Sequence, residues 1–568
     1  MNRRDLLGLG VNLGVLASTG ALSLRDARAA TASRYAPAFE RLDQYVEQYL
    51  REMNAPGLTL ALSDASGVQR VCAYGFEDLE QRLPLDPARL FHIGSISKSF
   101  LGLCLVQLHE AGKLDFHRPI QDYLPWLRFD AATGGAPLTA HHLLTHSAAL
   151  PDGALFPADP SWRYQATAAP GTFFHYCNMG YEALGLLLAS LDGGTLAESL
   201  QQRILTPLGM SSSEPVITLD AAERIATAYL PRYTDRPYPR RGTLTRSPPI
   251  AFNSAAGCVA ATARDMGAYL TMLIQRGATP TGRLVSPAGF ALFCGRHMAA
   301  EHFGPGTAYG YGIAADQLEG HQRLRHTGGM AAFASALEVD LEAGVGGFAS
   351  INAMQGYRPR PVVDYALRLM RACREGTALP PVPAPAPPLQ VTAAADYAGR
   401  YTGESGGILE VLAAGDRLYL QHQGTRVPLE PSIAQPDAFT ILHPDFAHFP
   451  LLFGRNGQNG TGTVVEAGWG PDWYTQPAYS GPRSFKVPDH WPSLTGEYRT
   501  EDLWIGSRRI VLRKGQLWMD GAIPLEPAAG GRFFLRDEPD SPEWVSFRET
   551  VNGKARALVL SGLYLPRV

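Results

Sequence analysis

Residues 377–390 read Thr-Ala-Leu-Pro-Pro-Val-Pro-Ala-Pro-Ala-Pro-Pro-Leu-Gln, and neither a helix interior nor a central strand tolerates such a density of proline. The segment predicts a stiff extended linker that splits the 568-residue chain into two unlike parts. Beyond it helical periodicity disappears and short alternating segments take over. That tail repeats itself. Ala398-Gly399-Arg400-Tyr401 returns as Thr495-Gly496-Glu497-Tyr498, Gly415-Asp416-Arg417-Leu418-Tyr419 as Gly515-Gln516-Leu517-Trp518, and Val427-Pro428-Leu429-Glu430-Pro431 as Ile523-Pro524-Leu525-Glu526-Pro527. The near-constant offset marks two copies of one module. Each copy, 391–486 and 487–568, is long enough for a small antiparallel β-barrel, whose closure leaves no open sheet edge.

The part before the linker, 34–376, reads as an α/β domain. Phe39, Leu42, Val46, Tyr49, Leu50 and Met53 share one helical face, and residues 57–63 and 68–74 alternate around a turn at 64–67. A buried helix is expected from Ser95 to Gly112, a hairpin over 332–340 and 345–351, and an amphipathic helix over 361–374. Residues 115–250 carry helices and long loops. Six cysteines lie before residue 376 with irregular spacing and no C-x-x-C, so free buried thiols are expected rather than a disulfide framework. At the start, Arg3-Arg4, an apolar run and Ala27-Arg28-Ala29 predict a twin-arginine export signal over 1–29. The run is rich in glycine and makes a poor membrane anchor, so a periplasmic or secreted protein without stable membrane insertion is expected. A net charge of −3 and no basic stripe interleaved with aromatics argue against nucleic acid as a partner.

Lysine is scarce in this chain, with only Lys98, Lys113, Lys486, Lys514 and Lys554, so one in a motif carries weight. Ser95-Ile96-Ser97-Lys98 is an S-x-x-K, and a spacing of three puts both side chains on one helical face. A serine hydroxyl needs a base to become a nucleophile, and a lysine serves only if its pKa falls from ~10.4. The positive end of the helix dipole and the Ser95 backbone N–H suit an oxyanion. Tyr176-Cys177-Asn178 and His326-Thr327-Gly328-Gly329 follow in order. In this reading Tyr176 exchanges protons with Ser95 and the leaving group, and Asn178 holds Lys98 or a substrate amide. An edge strand opened by His326-Thr327-Gly328 offers a second oxyanion N–H at Gly329.

With these motifs the chain resembles the serine β-lactamase/penicillin-binding-protein superfamily, and within it the class C β-lactamase-like group. The likeness extends to Glu110-Ala111-Gly112-Lys113-Leu114, His142-Leu143-Leu144-Thr145-His146-Ser147, Pro207-Leu208-Gly209-Met210 and Thr262-Ala263-Arg264-Asp265-Met266. It covers about 35–375 and implies an antiparallel sheet flanked by helices with a helical subdomain. It also implies an acyl-enzyme mechanism with Ser95, Lys98 and Tyr176 as catalytic residues. The two-barrel tail further resembles D-aminopeptidases of this group. The third motif is often K-T-G, and His326 in place of lysine removes a permanent cation that would attract a substrate carboxylate. The expected activity is therefore D-aminopeptidase-like amide or peptide hydrolysis. An esterase or a β-lactamase/D,D-carboxypeptidase of the same fold is the alternative, and a cell-wall or glycan-binding protein with a vestigial hydrolase domain is a further one.

Two patterns are decoys. Gly403-Glu404-Ser405-Gly406-Gly407 matches G-x-S-x-G but lacks the strand before and helix after that a nucleophile elbow needs. His142 and His146 have zinc-helix spacing without an intervening glutamate. No metal and no cofactor are expected. The expected partner is a small peptide, amide or ester; the sequence leaves oligomeric state open.

Overall fold

The strand Gly57–Asp64 is buried at every position, its Leu58, Leu60 and Leu62 on one face and Thr59, Ala61 and Ser63 on the other, so it must be covered on both sides. It lies inside a nine-stranded antiparallel sheet ordered Met298–Ala299, Ala308–Tyr309, Ala314–Leu318, His321–Met330, Phe333–Asp340, Val345–Ile351, Gly57–Asp64, Gly67–Asp78 and Leu83–Pro84. The computed structural model describes residues 34–568 apart from 128, 131–135, 154, 156–163, 234, 355–357, 434, 458–460, 503 and 537–540. The expected export signal at 1–29 lies outside the described residues.

Helices Ala36–Met53 and Arg360–Glu375 cover one face of the sheet, packing Leu42, Val46, Val363 and Leu367 against Leu60 and Ala349. Helices Ser97–Glu110, Asn178–Asp192 and Ala263–Ile274 build the core on the other side. Ser97–Glu110 is apolar around most of its circumference because other elements surround it, and Phe100 stacks on Tyr269 with ring centroids 4.1 Å apart. All six cysteines are free. Among the described residues no helix is long and apolar enough to cross a membrane.

Past the linker, Gly399–Gly403 to Asp472–Thr475 close into an eight-stranded barrel. Gly496–Arg499 to Leu563–Pro566 form a second eight-stranded sheet whose ends meet through a Tyr498–Arg567 bridge. The repeat is structural as well as textual. In each barrel a 3₁₀ turn leads into the first strand, and a fully buried tyrosine donates back across the corner: Tyr401 to the Tyr397 carbonyl at 2.8 Å, Tyr498 to the Leu494 carbonyl at 2.7 Å. The G-x-S-x-G decoy is the turn between strands Gly399–Gly403 and Ile408–Ala414. Indole N–H groups of Trp469, Trp473 and Trp518 are spent on Phe449 O, Glu466 and Arg513 O, and Trp491 is buried in its barrel core.

The linker is anchored along the catalytic domain. Arg41 donates to the Leu379 and Pro380 carbonyls, and Tyr365 also reaches Pro380 O. Arg240 pairs with Glu430 of the first barrel at 3.0 Å, and Arg509 of the second with Asp235 at 2.9 Å.

Equivalent corners predict equivalent costs. Tyr401→Phe and Tyr498→Phe each remove a buried hydroxyl and orphan a carbonyl, so each should lower stability by about 1–2 kcal/mol. Urea unfolding of the full chain followed by tryptophan fluorescence checks this; an unchanged midpoint in either variant contradicts it.

Candidate active site

The nucleophile turn is set by backbone contact. Phe91–His92 pairs with Ala260–Ala261, and Gly94 then adopts φ +54° directly against the strand His321–Met330. A Cβ on Gly94 would sit 2.5 Å from Gly329 O, and one on Gly328 would sit 1.9 Å from Ile93 O. Glycine at both places lets two backbones touch, which explains the Gly of the third motif. Ser95 lies in a 3₁₀ turn, Gly94–Ile96, and the α-helix begins only at Ser97. Three residues per turn eclipse positions i and i+3, so Lys98 falls beneath Ser95, with Nζ 3.1 Å from Oγ.

Lys98 is fully buried. Its Nζ donates to Asn178 Oδ1 and to Ala256 O, both at 2.8 Å. Neither acceptor can return a proton. Ala256 O is a carbonyl, and Asn178 is held oxygen-inward because its Nδ2 donates to Asp152 Oδ2 at 2.8 Å. A neutral amine has two N–H groups, and both are used here, which leaves its lone pair facing Ser95 Oγ. Burial pushes the Lys98 pKa from 10.5 down to about 7, against the opposing pull of Asp152.

Tyr176 shares a hydrogen bond with Ser95, and burial pushes its phenol up, so it keeps its proton at neutral pH. Its ring centroid lies 4.8 Å from Lys98 Nζ and 4.2 Å from the His146 ring. The His142-to-Ser147 segment holds the Y-x-N segment in place. His175 N donates to His146 O, Cys177 N to His146 Nδ1, and Gly171 N to Ser147 O. Asp152 then accepts from Asn178 N at 2.7 Å and Met179 N at 3.0 Å, starting the helix Asn178–Asp192. His142 lies in the helix cap at Thr139. Cys177 is buried and its thiol is pushed well up, which marks packing rather than reactivity.

The third motif departs from expectation. The strand His321–Met330 is not an edge strand; it pairs on both sides as far as Arg325 and loses one neighbour only beyond it. His326, expected in substrate binding, points into the core. Its Nδ1 must donate to Thr327 O (2.6 Å), so its Nε2 accepts from Tyr309 OH (2.8 Å). Burial and then the nearby Lys98 push its pKa to about 3, so it is neutral and fully engaged. Its side chain cannot meet a substrate. Thr327 is exposed but lies outside the Ser95 cavity, and Gly328 is consumed in backbone contact. Gly329 lines the cavity together with Ser95.

Sequence reading missed Ala256, Asp152 and Tyr309, which carry no motif of their own. It also missed Glu182, Asp502 and Trp504, which line the same cavity, the last two from the second barrel. Among the described residues one group could hold a metal: His422, His443 and Asp445 of the first barrel, with ligand atoms within 4.8 Å of one another. There His422 Nε2 already meets Asp445 Oδ2 at 2.9 Å, and His443 Nδ1 accepts from Asp445 N.

If neutral Lys98 is the base, turnover of an uncharged ester is lost below pH 7, where the amine is protonated, and rises to a plateau above it. A pH profile of kcat/KM with an apparent pKa near 7 checks this. Lys98→Arg, which cannot deprotonate, should lose at least about a thousandfold.

A Beta-lactamase family model matches residues 42–371. The chain is 26% identical over 188 residues to a beta-lactamase of Providencia stuartii, covering 31% of this chain and 47% of that protein. It is 29% identical over 219 residues to esterase EstB of Burkholderia gladioli, covering 33% and 54%. The chain thus spans about half the length of these curated relatives. The octameric penicillin-binding protein homologue of Pyrococcus abyssi superposes with a TM-score of 0.55 at 24% identity, over 77% of this chain and all of that one, a likeness of fold. With the match running through the helices and sheet that assemble the Ser95 site, the chain belongs to the beta-lactamase family.

Proposed function

We propose that the protein is a serine hydrolase that passes through a Ser95 acyl-enzyme and releases an N-terminal residue bearing a free amine. Lys98 takes the Ser95 proton and Tyr176 returns a proton to the leaving group. The N–H groups of Ser95 and Gly329 take the oxyanion. Support for the first part is the buried Lys98 amine, 3.1 Å from Ser95 Oγ, whose two other partners can only accept, so that once it is neutral its lone pair faces Ser95 Oγ.

The observation that favours an amine-bearing substrate is the charge of the cavity. It holds about 240 Å³ in front of Ser95 and is lined by the carboxylates of Asp152, Glu182 and Asp502, with no basic residue among its described lining. Burial holds the Asp152 and Glu182 carboxyls above the usual range, and a substrate ammonium would relieve that cost. A substrate carboxylate, as on a penicillin, meets repulsion, and inward-facing neutral His326 offers it no cation. Asp502 Oδ1 braces its own turn by accepting from Trp504 N and Ile505 N, which aims the loop at the cavity. The two-barrel architecture resembles that of D-aminopeptidases, and we read the amine-bearing residue as D on that basis. We also read the protein as exported, from the signal pattern at 1–29.

The esterase relative keeps ester hydrolysis as a second reading, since the same acyl-enzyme serves both. The test is a set of kcat/KM values for a D-alanyl p-nitroanilide, a neutral p-nitrophenyl ester of similar size and a chromogenic cephalosporin. The anilide should be preferred over the cephalosporin. Glu182→Gln and Asp502→Asn should each lower the anilide value by about tenfold, the equivalent of one charged hydrogen bond, while sparing the ester. A wild type that prefers the cephalosporin contradicts the reading and puts lactam hydrolysis in its place.

A further inference from the structure

A carboxylate of the second barrel reaches behind the Ser95 site. Glu543 Oε1 accepts the backbone N–H of Asp152 at 2.6 Å and meets His175 Nε2 at 3.0 Å, and Glu543 Oε2 accepts from Ser561 Oγ at 2.5 Å. Both members of the His175–Glu543 pair are largely buried, their side chains 11% and 15% exposed. The neighbouring backbones fit closely, since a Cβ on Gly153 would sit 1.8 Å from Ser561 O. The contacts of Glu543 with Asp152 and His175 join residues 391 and 368 positions apart, one on the segment that braces the Y-x-N motif and the other on the segment that ends in it.

We infer that Glu543 is a positioning residue for catalysis, so that the second barrel is a working part of the acylation machinery. It rests on the Ser95–Lys98 reading, not on the choice of substrate. The chain of contacts is direct. Glu543 fixes the Asp152 backbone, and Asp152 fixes the Asn178 side chain, oxygen toward Lys98. Asn178 then takes one of the two N–H groups whose occupation turns the Lys98 lone pair to Ser95. With Glu543 removed, Asp152 loses one of its anchors and Asn178 is free to turn, presenting donors to an amine that needs an acceptor. Misplacing a catalytic group by about 1 Å costs up to about a hundredfold. His175 is held by the same carboxylate and sits one residue before Tyr176, so the proton donor is loosened together with the base.

The test is the pre-steady-state release of p-nitrophenolate from p-nitrophenyl acetate by the full-length protein. Acetate is too small to need the barrel's contribution to the cavity wall. Glu543→Ala should slow acylation by about tenfold to a hundredfold with KM changed less than about threefold. Glu543→Gln keeps an oxygen for the Asp152 N–H and a donor for Ser561, and should recover to within about threefold of wild type. Gly153→Ala, which pushes the Ser561 backbone away with Glu543 intact, should show the same slowing. It decides the matter alone if Glu543→Ala fails to fold by circular dichroism. Folded Ala variants that acylate at the wild-type rate overturn the positioning role, as does a Gln variant no better than Ala. A release of p-nitrophenolate that is unchanged in Ser95→Ala overturns both this role and the Ser95 reading on which it rests.

Discussion

A buried amine with no carboxylate in contact gives up its proton far more readily than one in water, and the arrangement around Lys98 follows from that. Burial brings its pKa down to about 7; in the neutral form Ala256 O and Asn178 Oδ1 take the two N–H groups and the lone pair is left to Ser95. Each neighbour has its own support. Asp152 decides which end of the Asn178 amide faces inward, and His146 and Asp152 bind the backbone of the Y-x-N segment. The Gly94–Gly329 contact brings the nucleophile turn flush against the sheet. Tyr176, pushed up by burial, keeps the proton that the lysine cannot spare. Lys98 and Tyr176 start from similar ordinary values, and burial drives them apart, as the proposed base and acid require.

Charge in the cavity follows a related logic. Asp152 is needed to orient Asn178, and Glu182 sits on the helix that Asn178 begins, so two carboxyls come with the frame of the site. The second barrel adds Asp502. On the proposed reading, a site with this sign would disfavour carboxylate-bearing substrates before any shape is considered. The inward turn of His326 completes the effect, because its ring is spent on Thr327 O and Tyr309.

Much of this was legible in the sequence, and the reasons are specific. Ser95 and Lys98 are linked by local helical spacing, the repeat by an offset that repeats three times, and the linker by proline chemistry. The helices and hairpin strands read at 35–53, 57–63, 332–340, 345–351 and 361–374 match to within a residue or two, while the strand read at 68–74 continues to Asp78. Ser95 itself was expected on the α-helix and lies instead in the 3₁₀ turn before it, a difference in the last hydrogen bonds of a helix end. His326 was misread because spacing gives no direction for a side chain in a strand that is paired on both sides up to the motif and on one side through it. Glu543 and Asp502 were invisible because their contacts join positions hundreds of residues apart and depend on how domains dock, and Ala256 because a backbone carbonyl acts there whatever its side chain.

The central claim is that Ser95, made nucleophilic by neutral Lys98, carries the acyl group. Intact-protein and peptide mass spectrometry after exposure to a fluorophosphonate at pH 8 tests it most directly. The account predicts one adduct on the peptide that contains Ser95, absent in Ser95→Ala and strongly slowed at pH 6, where Lys98 is protonated. An adduct that persists in Ser95→Ala, or that forms on another residue, would contradict it.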